Sequence, residues 1–593
     1  MSVLDPTCGS GAFLFAALNI LKPLYDAALG TMAGLLLDAD QAGDHKSAEK
    51  WKDIEEVVER FGALSSDRAR DYAVIKHIVV HNLYGVDIEE QATEIAKLRL
   101  FLKLVSLLDP GDTIEPLPDI DFNIRHGNTL VGYATADETE AAVKGATQGN
   151  LFSDAWEDIR IRLIAVEEAY HNFQIQQVQR GGHITAQDKQ ALAAQLGELE
   201  AMLNFHLCRA YGKDPTKAKQ FDAWKASHKP FHWYVDFYPL MAAGGFDAVI
   251  GNPPYLQLTE VEGYSVKSYA CADCGNLYAV MLERCTALVG AAGRSGFIVP
   301  VSSISTDGYR SLQQLYASRH VHLSCFDDRP SRLFEGLEHI RLVIALSSCS
   351  QQPGWVSTRY LKWSSDERST LFDRLAYFEA PASPIQNAIA KAGSHLEAGI
   401  FGKLRNSGTH IALHIQSGGQ ARVHYSRKVG FFFQVLDFVP RVLSGDGSLR
   451  SPSEFKTVSL ASEVVARAAL AALNSSLFYW FVTVLSDCRH LNKREVEGFP
   501  LVGDLLLPER AGRVNDSVAR LMADLIARSE TRVMKFKHDT LTVQCLLPRR
   551  SWTAIQAIDV IVAEGVGLSK VEADYITNYD IKYRVGRVNG TDD

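Results

Sequence analysis

Residues 246–255 read Phe-Asp-Ala-Val-Ile-Gly-Asn-Pro-Pro-Tyr. The apolar run is a strand that has to stop where it does. Pro253 and Pro254 fix φ and donate nothing to a ladder, so the chain leaves the sheet in a stiff turn after Gly251. The residues of that turn suit one chemical problem. An amino nitrogen on an aromatic ring is a poor nucleophile, because its lone pair is delocalised. The side-chain carbonyl of Asn252 and the backbone carbonyl of Pro253 can accept its two hydrogens and push it towards a nucleophilic geometry, which is electrostatic preorganisation. Tyr255 offers a flat face for an extruded base. Read as structure alone, the same residues are a strand ending in a Pro-Pro turn.

A second stretch narrows the choice. Residues 3–14, Val-Leu-Asp-Pro-Thr-Cys-Gly-Ser-Gly-Ala-Phe-Leu, read as a short strand, a small-residue loop and the start of a helix. Gly9 and Gly11 permit positive φ and close approach of backbone to a ligand. Such a loop, at a strand C-terminus and a helix N-terminus, is a common seat for a nucleotide-like cofactor. Leu14 stands where a dinucleotide fingerprint needs its third glycine, and no Gly-Lys-Ser/Thr follows as a P-loop requires. Asp5 and Pro6 at the strand end suit instead a ligand with an amino group, such as S-adenosylmethionine. Leu83-Tyr84-Gly85-Val86-Asp87-Ile88 reads as a second strand ending in an acid that can hold ribose hydroxyls. Asp87 lies far beyond the usual ~20 residues after the loop, so the helical pattern over roughly 47–80 reads as an insertion. A surface aspartate after a strand is the plain alternative.

Together these residues resemble the adenine-specific DNA amino-methyltransferases found in type IIG restriction–modification and BREX phage-defence systems. Asp5-Pro6-Thr7-Cys8-Gly9-Ser10-Gly11 is similar to the cofactor loop of that family, and Gly85-Val86-Asp87-Ile88 to its ribose-binding strand end. His126-Gly127-Asn128-Thr129-Leu130 is similar to the motif near the cofactor adenine. Pro230-Phe231-His232-Trp233-Tyr234 leads towards Asn252-Pro253-Pro254-Tyr255, and Asn276-Leu277-Tyr278 and Gly296-Phe297-Ile298-Val299-Pro300 continue the pattern. Ala472 to Trp480 and Arg489 to Glu495 echo its target-recognition region. The resemblance implies that Asp5, Pro6, Thr7, Cys8, Gly9, Gly11, Asp87, Ile88 and Asn128 hold S-adenosylmethionine. It implies that Asn252, Pro253, Pro254 and Tyr255 receive a flipped adenine, and that Arg489, Lys493 and Arg494 meet double-stranded DNA. It also implies a segment ahead of the first strand that closes the cofactor pocket. The chain begins two residues before that strand, so the expectation is that the N-terminus is missing, or that a companion polypeptide supplies that segment or a nuclease, or that the gene is a remnant.

The 593 residues suggest roughly three to four domains at ~150 residues each. No run of 18 apolar residues stands out as a membrane span, and the N-terminus lacks the basic-then-apolar order of a signal peptide. Nine cysteines over this length fit a reducing, cytoplasmic setting better than a disulfide framework. Cys271 and Cys274 form a Cys-x-x-Cys pair with no second pair to complete a zinc set, so no metal is expected. Residues 381–550 hold 22 Lys+Arg against 14 Asp+Glu, a net of +8, while the rest of the chain is −17. This asymmetry places the basic surface in the C-terminal half, as phosphate contacts require. Solvated faces around an apolar core would account for most of these cations singly.

The expected architecture is α/β. Residues 1–133 and 231–380 make the cofactor-binding and catalytic parts of a Rossmann-like class I S-adenosylmethionine-dependent methyltransferase domain. Residues 134–230 form a helical hairpin insertion broken at Gly181-Gly182, serving either as a spacer or to grip DNA. Pro381 to Pro384 open an α+β target-recognition domain, 381–550, and 551–593 form a partly disordered tail. The expected reaction is methyl transfer to N6 of a flipped adenine at a specific duplex sequence, in restriction–modification or phage defence. Two readings compete with it: an amino-methyltransferase acting on RNA or protein, and a catalytically incomplete DNA-recognition subunit of a defence complex. No Asp…Glu-x-Lys nuclease set is evident, and the recognised DNA sequence is not legible.

Overall fold

The computed structural model describes residues 1–41, 48–62, 66–108, 117–145, 153–179, 186–349, 352–535 and 539–586. The chain divides into two units, Met1–Val299 with Ala345–Pro353, and Pro300–Ile344 with Gly354–Asp593.

The first unit is built on parallel strands β1 (Val3–Asp5), β2 (Leu83–Asp87), β3 (Ile124–His126), β4 (Phe246–Gly251) and β5 (Val289–Pro300), in the order β3-β2-β1-β4-β5. Asp5 pairs with Gly85, Asp87 with His126, Leu4 with Val249, and Gly251 with Phe297. Val3, Leu4, Leu83, Tyr84, Val86 and Ile124 are all buried, as parallel strands covered on both faces must be. Residues 345–349 lie beside β5, where the Ser295 and Ser347 hydroxyls share a hydrogen bond of 2.7 Å. This is the doubly wound arrangement expected. Sheet growth reverses between β1 and β4, and that reversal opens a crevice beyond the strand C-termini.

Helix Ala12–Gln41 returns from β1 and buries Leu14, Leu18 and Leu21, spaced three and four apart. By length and hydropathy it could span a bilayer, against the expectation that no segment would. Its buried stripe packs with Ala17, Ile75 and Ile78 in the unit's core, and Lys22 pairs with Asp26 and Asp71 at 2.7 Å each. Helices Ala48–Gly62 and Asp67–His81 fill the stretch read as an insertion before β2. Ser66 caps the second by accepting from the Ala69 amide. Among the described residues, helices Ala136–Gly145, Ser153–Gln179, Ala186–Ala210 and Ala218–His228 and two short ones, Trp233–Asp236 and Tyr238–Ala242, stand between β3 and β4. They are tied to the sheet. Arg125 on β3 pairs with Glu200 at 3.1 Å and with buried Asp236 at 2.5 Å, and the Asp119 amide donates to Gln177. The Gly181-Gly182 break lies outside the described residues.

In the second unit, β6 (Arg319–Phe326) pairs in parallel with β8 (Gly354–Ser357), and β8 antiparallel with β9 (Phe378–Glu379). Strand β7 (Leu342–Cys349) carries the division between the units at Ile344. Beyond it come small antiparallel sheets, such as Ala421–Ser426 with Phe455–Leu460, and a helical core. Every residue of helix Ser476–Leu485 is buried, which is what a helix apolar all round requires. Pro381 to Pro384 fall inside this unit, and Ile385 already belongs to its core.

Residues 552–584 of the expected tail are folded instead, while its last residues, 587–593, lie outside the described residues. Trp552–Val566, Lys570–Thr577 and Ile581–Arg584 are helices, and Ile555, Ile558, Val562, Ile576 and Tyr579 sit in the core.

Candidate active site

Four sequence signals meet at one edge of the first unit's sheet. Asp5 ends β1, Asp87 ends β2, Asn128 follows β3 by two residues, and Asn252 follows β4. All four strands are parallel, so all four residues lie at the C-terminal edge, where the crevice opens.

The loop after β1 is held from three sides. The Cys8 amide donates to the Val86 carbonyl at 3.0 Å, the Gly9 amide to Asp87 Oδ2 at 2.8 Å, and the Thr129 hydroxyl to the Pro6 carbonyl at 2.5 Å. Gly9 and Gly11 take φ of +50° and +77°, values at which a side chain is strained. Cys8 is buried against β2, where a Cβ on Gly85 would stand 3.1 Å from its sulfur. Burial pushes the Cys8 thiol up, with the Asp5 and Asp87 charges adding to the effect. Cys8 is therefore a small packing residue and no thiolate.

The Asp5 side chain is buried, and its Oδ1 accepts from the Thr7 amide at 3.1 Å. Its pKa is raised to about 7, chiefly by burial and in smaller part by the neighbouring Asp87, against the lowering effect of the Thr7 hydrogen bond. Asp87 accepts from Gly9 through one oxygen and from the Glu89 amide, at 2.9 Å, through the other. An ionised carboxylate has about four lone-pair sites, so Asp87 keeps acceptor capacity for a ligand while it ties the loop down. That second duty was not foreseen from the sequence. Ile88 contributes its carbonyl, which accepts from Lys229 Nζ at 2.8 Å. Asn128 is buried, and its Oδ1 accepts from the Leu130 amide at 3.0 Å. Its Nδ2 and the Thr7 hydroxyl are buried with no protein partner. Such orphaned donors are rare in folded proteins and mark places where a ligand completes the hydrogen bonding.

The turn after β4 adjoins this pocket. A Cβ on Gly251 would stand 3.0 Å from Asp5 Oδ1 and 3.5 Å from Thr7 Oγ1. Asn252 and Pro254 are exposed, Pro253 is buried and Tyr255 half-buried. The Tyr255 hydroxyl lies 2.6 Å from Asn252 Oδ1 and 2.9 Å from the Ile298 carbonyl, and its ring meets Tyr278 edge-on at 6.0 Å. Two residues that sequence reading left without a role support the pocket. Trp233 Nε1 donates to the Thr129 carbonyl at 3.0 Å, and the Lys229 carbonyl accepts from the Asn128 amide at 2.8 Å. Trp233 stood in a quoted motif; Lys229 gave no signal.

The cations expected to meet DNA lie in the second unit. Arg489 is exposed and the Lys493 side chain is 78% exposed. Arg494 differs: it lies 3.2 Å from Asp307 and donates to the Gln386 carbonyl at 3.2 Å, with its side chain 18% exposed. Its charge is paired inside the unit, by Asp307 and by Glu495 at 3.4 Å, although its Nε and Nη1 make no hydrogen bond there. Among the described residues no group of His, Cys, Asp and Glu has the makings of a metal site, and Cys274 Sγ turns to Asp273 at 3.5 Å.

Residues 81–330 match the model of the Eco57I restriction-modification methylase family. That span holds Asp87, Asn128 and the Asn252–Tyr255 turn but not the loop after β1. A protein of Methanocaldococcus jannaschii named as a type II restriction enzyme and methyltransferase is 25% identical over 353 residues, 53% of this chain and 27% of its own length. The chain thus spans about a quarter of that curated relative. Among solved structures, the type IIL restriction-modification enzyme MmeI in complex with DNA is 10% identical, with 98% of this chain and 73% of that one covered at a TM-score of 0.42. The DrdV–DNA complex is 11% identical, with 99% and 65% covered at 0.38. Over residues 81–330, the chain is similar to the Eco57I restriction-modification methylases.

Proposed function

We propose that this protein transfers a methyl group from S-adenosylmethionine to N6 of an adenine flipped out of double-stranded DNA, at a specific sequence, within a restriction–modification or phage-defence system. The observation that carries the reading is the convergence of Asp5, Asp87, Asn128 and Asn252-Pro253-Pro254-Tyr255 on one sheet edge, with two buried donors left open between them.

The donor set fits the cofactor. Asp5 suits its ammonium, Asp87 its ribose hydroxyls, and the open Asn128 Nδ2 a ring nitrogen of its adenine; Pro6, Thr7, Cys8, Gly9, Gly11 and Ile88 shape the backbone around it. Bound there, the cofactor supplies an electrophilic methyl group on a sulfonium. The protein's task is the nucleophile. A stacked base hides its amine, so the base must leave the helix, and Tyr255 gives it a surface. Asn252 Oδ1 and the Pro253 carbonyl accept the two amine hydrogens and draw the lone pair out of the ring. The Tyr255 hydroxyl has one proton and two oxygens in reach. Turning the Asn252 amide lets its NH2 donate to Tyr255 while Tyr255 donates to Ile298, which frees Oδ1 for the base. The orientation of an amide is set by such networks.

Arg489 and Lys493 are proposed as phosphate contacts and residues 381–550 as the recognition region; Arg494 is proposed to act through the fold. A protein acting on cellular DNA in this way works in the cytoplasm, and a companion polypeptide covering the cofactor pocket remains part of the proposal. The test is methylation of unmodified genomic DNA with nucleoside mass spectrometry as the readout. N6-methyladenine should form, and Asn252→Ala should abolish it while cofactor affinity stays within about twofold, since the side chain touches the amine and not the sulfonium. Substantial residual methylation by the variant sinks the assignment.

A further inference from the structure

The second unit holds a cavity of about 450 Å³ unrelated to the site above, of a size that takes small organic ligands. Four of its lining residues are cations, Arg359, Lys362, Arg374 and Lys582, and two are carboxylates, Glu367 and Asp580. Each carboxylate serves two cations. Glu367 Oε1 lies 3.3 Å from both Arg374 and Lys582, and Asp580 lies 3.3 Å from Arg359 and 2.9 Å from Lys362. Lys362 has a second anion, Asp327 at 3.2 Å. Even with Lys362 assigned to Asp327, three cations face two carboxylates. Those three side chains are 43%, 41% and 46% exposed, whereas Lys362 and Asp580 are buried. The surplus positive charge therefore stands at the accessible part of the wall.

The rest of the wall holds three tyrosines, Tyr575, Tyr579 and Tyr583, with Leu361, Ile581 and Asn578. Tyr575 and Tyr579 meet edge-on at 5.7 Å, and the Arg359 guanidinium lies over the Tyr579 ring at 5.0 Å. Tyr579 is 2% exposed, yet its hydroxyl has no protein partner, and neither has Arg359 Nε. A buried hydroxyl and a guanidinium N–H left open on one wall are donors that a ligand in the cavity can satisfy. Guanidinium groups with open N–H donors bind phosphate as forks, and nucleobases stack on tyrosine.

We propose that this cavity binds a nucleoside monophosphate, with the phosphate between Arg359, Arg374 and Lys582 and the base against the half-buried Tyr575 and Tyr583. The same chemistry is offered by a free nucleotide and by the 5′-phosphorylated end of a strand.

The probe is thymidine 5′-monophosphate, titrated calorimetrically into the full chain with S-adenosylhomocysteine in excess. A pyrimidine probe and a filled cofactor pocket keep the methyl-transfer site out of the measurement, so failure here leaves that function untouched. Wild type should bind. Arg374→Ala with Lys582→Ala should weaken binding at least tenfold, and Tyr579→Phe severalfold. Glu367→Gln should tighten it, because the glutamine no longer competes for Arg374 and Lys582. Thermal melting of each variant checks that the unit stays folded, and the glutamine variant keeps the test meaningful if the double variant does not. A thymidine dinucleotide with a 5′-phosphate that binds tighter than the monophosphate assigns the site to strand ends; equal affinity assigns it to free nucleotides. No binding by wild type at millimolar probe, or equal affinity across all variants, overturns the proposal.

Discussion

Asp5 offers the sharpest physical test of the cofactor pocket, because its environment sets function against stability. An ordinary aspartate ionises at 3.8, and burial in the first unit raises Asp5 to about 7. Well below 3.8, at about pH 3 and under, the side chain is neutral in the folded and the unfolded chain alike, so it costs nothing. As pH rises, the unfolded chain ionises first, and the fold loses stability until its own group ionises near 7. Above that the loss is constant. One pKa unit is worth about 1.36 kcal/mol, so the full penalty is about 4 kcal/mol. Asp5→Asn removes the charge and keeps an amide oxygen to accept from the Thr7 amide, which now lies 3.1 Å from Oδ1. The unliganded variant should melt with wild type at about pH 3 and several degrees above it at pH 8. Saturating S-adenosylhomocysteine should reverse the order at pH 8, because its ammonium pairs with the carboxylate and has nothing to pair with in the amide. By the same linkage, cofactor affinity of the wild type should fall roughly tenfold per pH unit below 7. Differential scanning calorimetry across this range is the assay. A difference between variant and wild type that does not change with pH would refute the reasoning, whichever protein is the more stable.

Three further outcomes are expected. Tyr255→Phe keeps the stacking ring and deletes the group that fixes the Asn252 amide, a loss of about 1 kcal/mol, so kcat should fall five- to tenfold with both KM values unchanged; an unaltered kcat would leave the hydroxyl without a role. Asp87→Ala removes one charged hydrogen bond to the Gly9 amide and those to ribose, each worth roughly 1.5–3 kcal/mol, so cofactor affinity should drop at least tenfold and the melting temperature should fall too, which separates it from a residue that only touches ligand. Reversing Arg489 and Lys493 to Glu should weaken binding to every duplex and flatten its salt dependence, whereas Arg494→Ala should lower stability first, because the residue bridges Asp307 and the Gln386 carbonyl; a salt slope unchanged by the double reversal would move the phosphate contacts elsewhere.

The local features of the first unit were legible because they are written in short range. A strand is announced by its apolar run, as in Val3-Leu4 and Ala248-Val249-Ile250, and its end by residues that cannot continue a ladder, as at Pro253-Pro254. The glycines at 9 and 11 declare a backbone that side chains would strain. Once the strands are parallel, their ends share an edge, so four motifs far apart in sequence had to meet. What the tertiary structure decided is what those residues do besides the role their spacing suggests. Asp87 ties the loop through Gly9, Cys8 is packing, and Asp5 carries a raised pKa, because these depend on neighbours 78 or more residues away and on exclusion of water.

In the second unit the balance is reversed. Composition showed a basic surplus beyond residue 381 but not which cations are exposed; Arg494 and Lys493 are adjacent in sequence and opposite in exposure, and Lys493 meets Glu497 at 3.2 Å. The polar C-terminal stretch gave no local sign that Tyr579 and Asp580 would close a charged cavity against Arg359 and Lys362, more than 200 residues earlier. Sequence alone determined where strands, turns and the pocket's donors would fall, since backbone sterics and apolar periodicity act between near neighbours. Only the fold decided which charges are buried, paired or left open, since desolvation and ion pairing act between residues that the chain's path brings together.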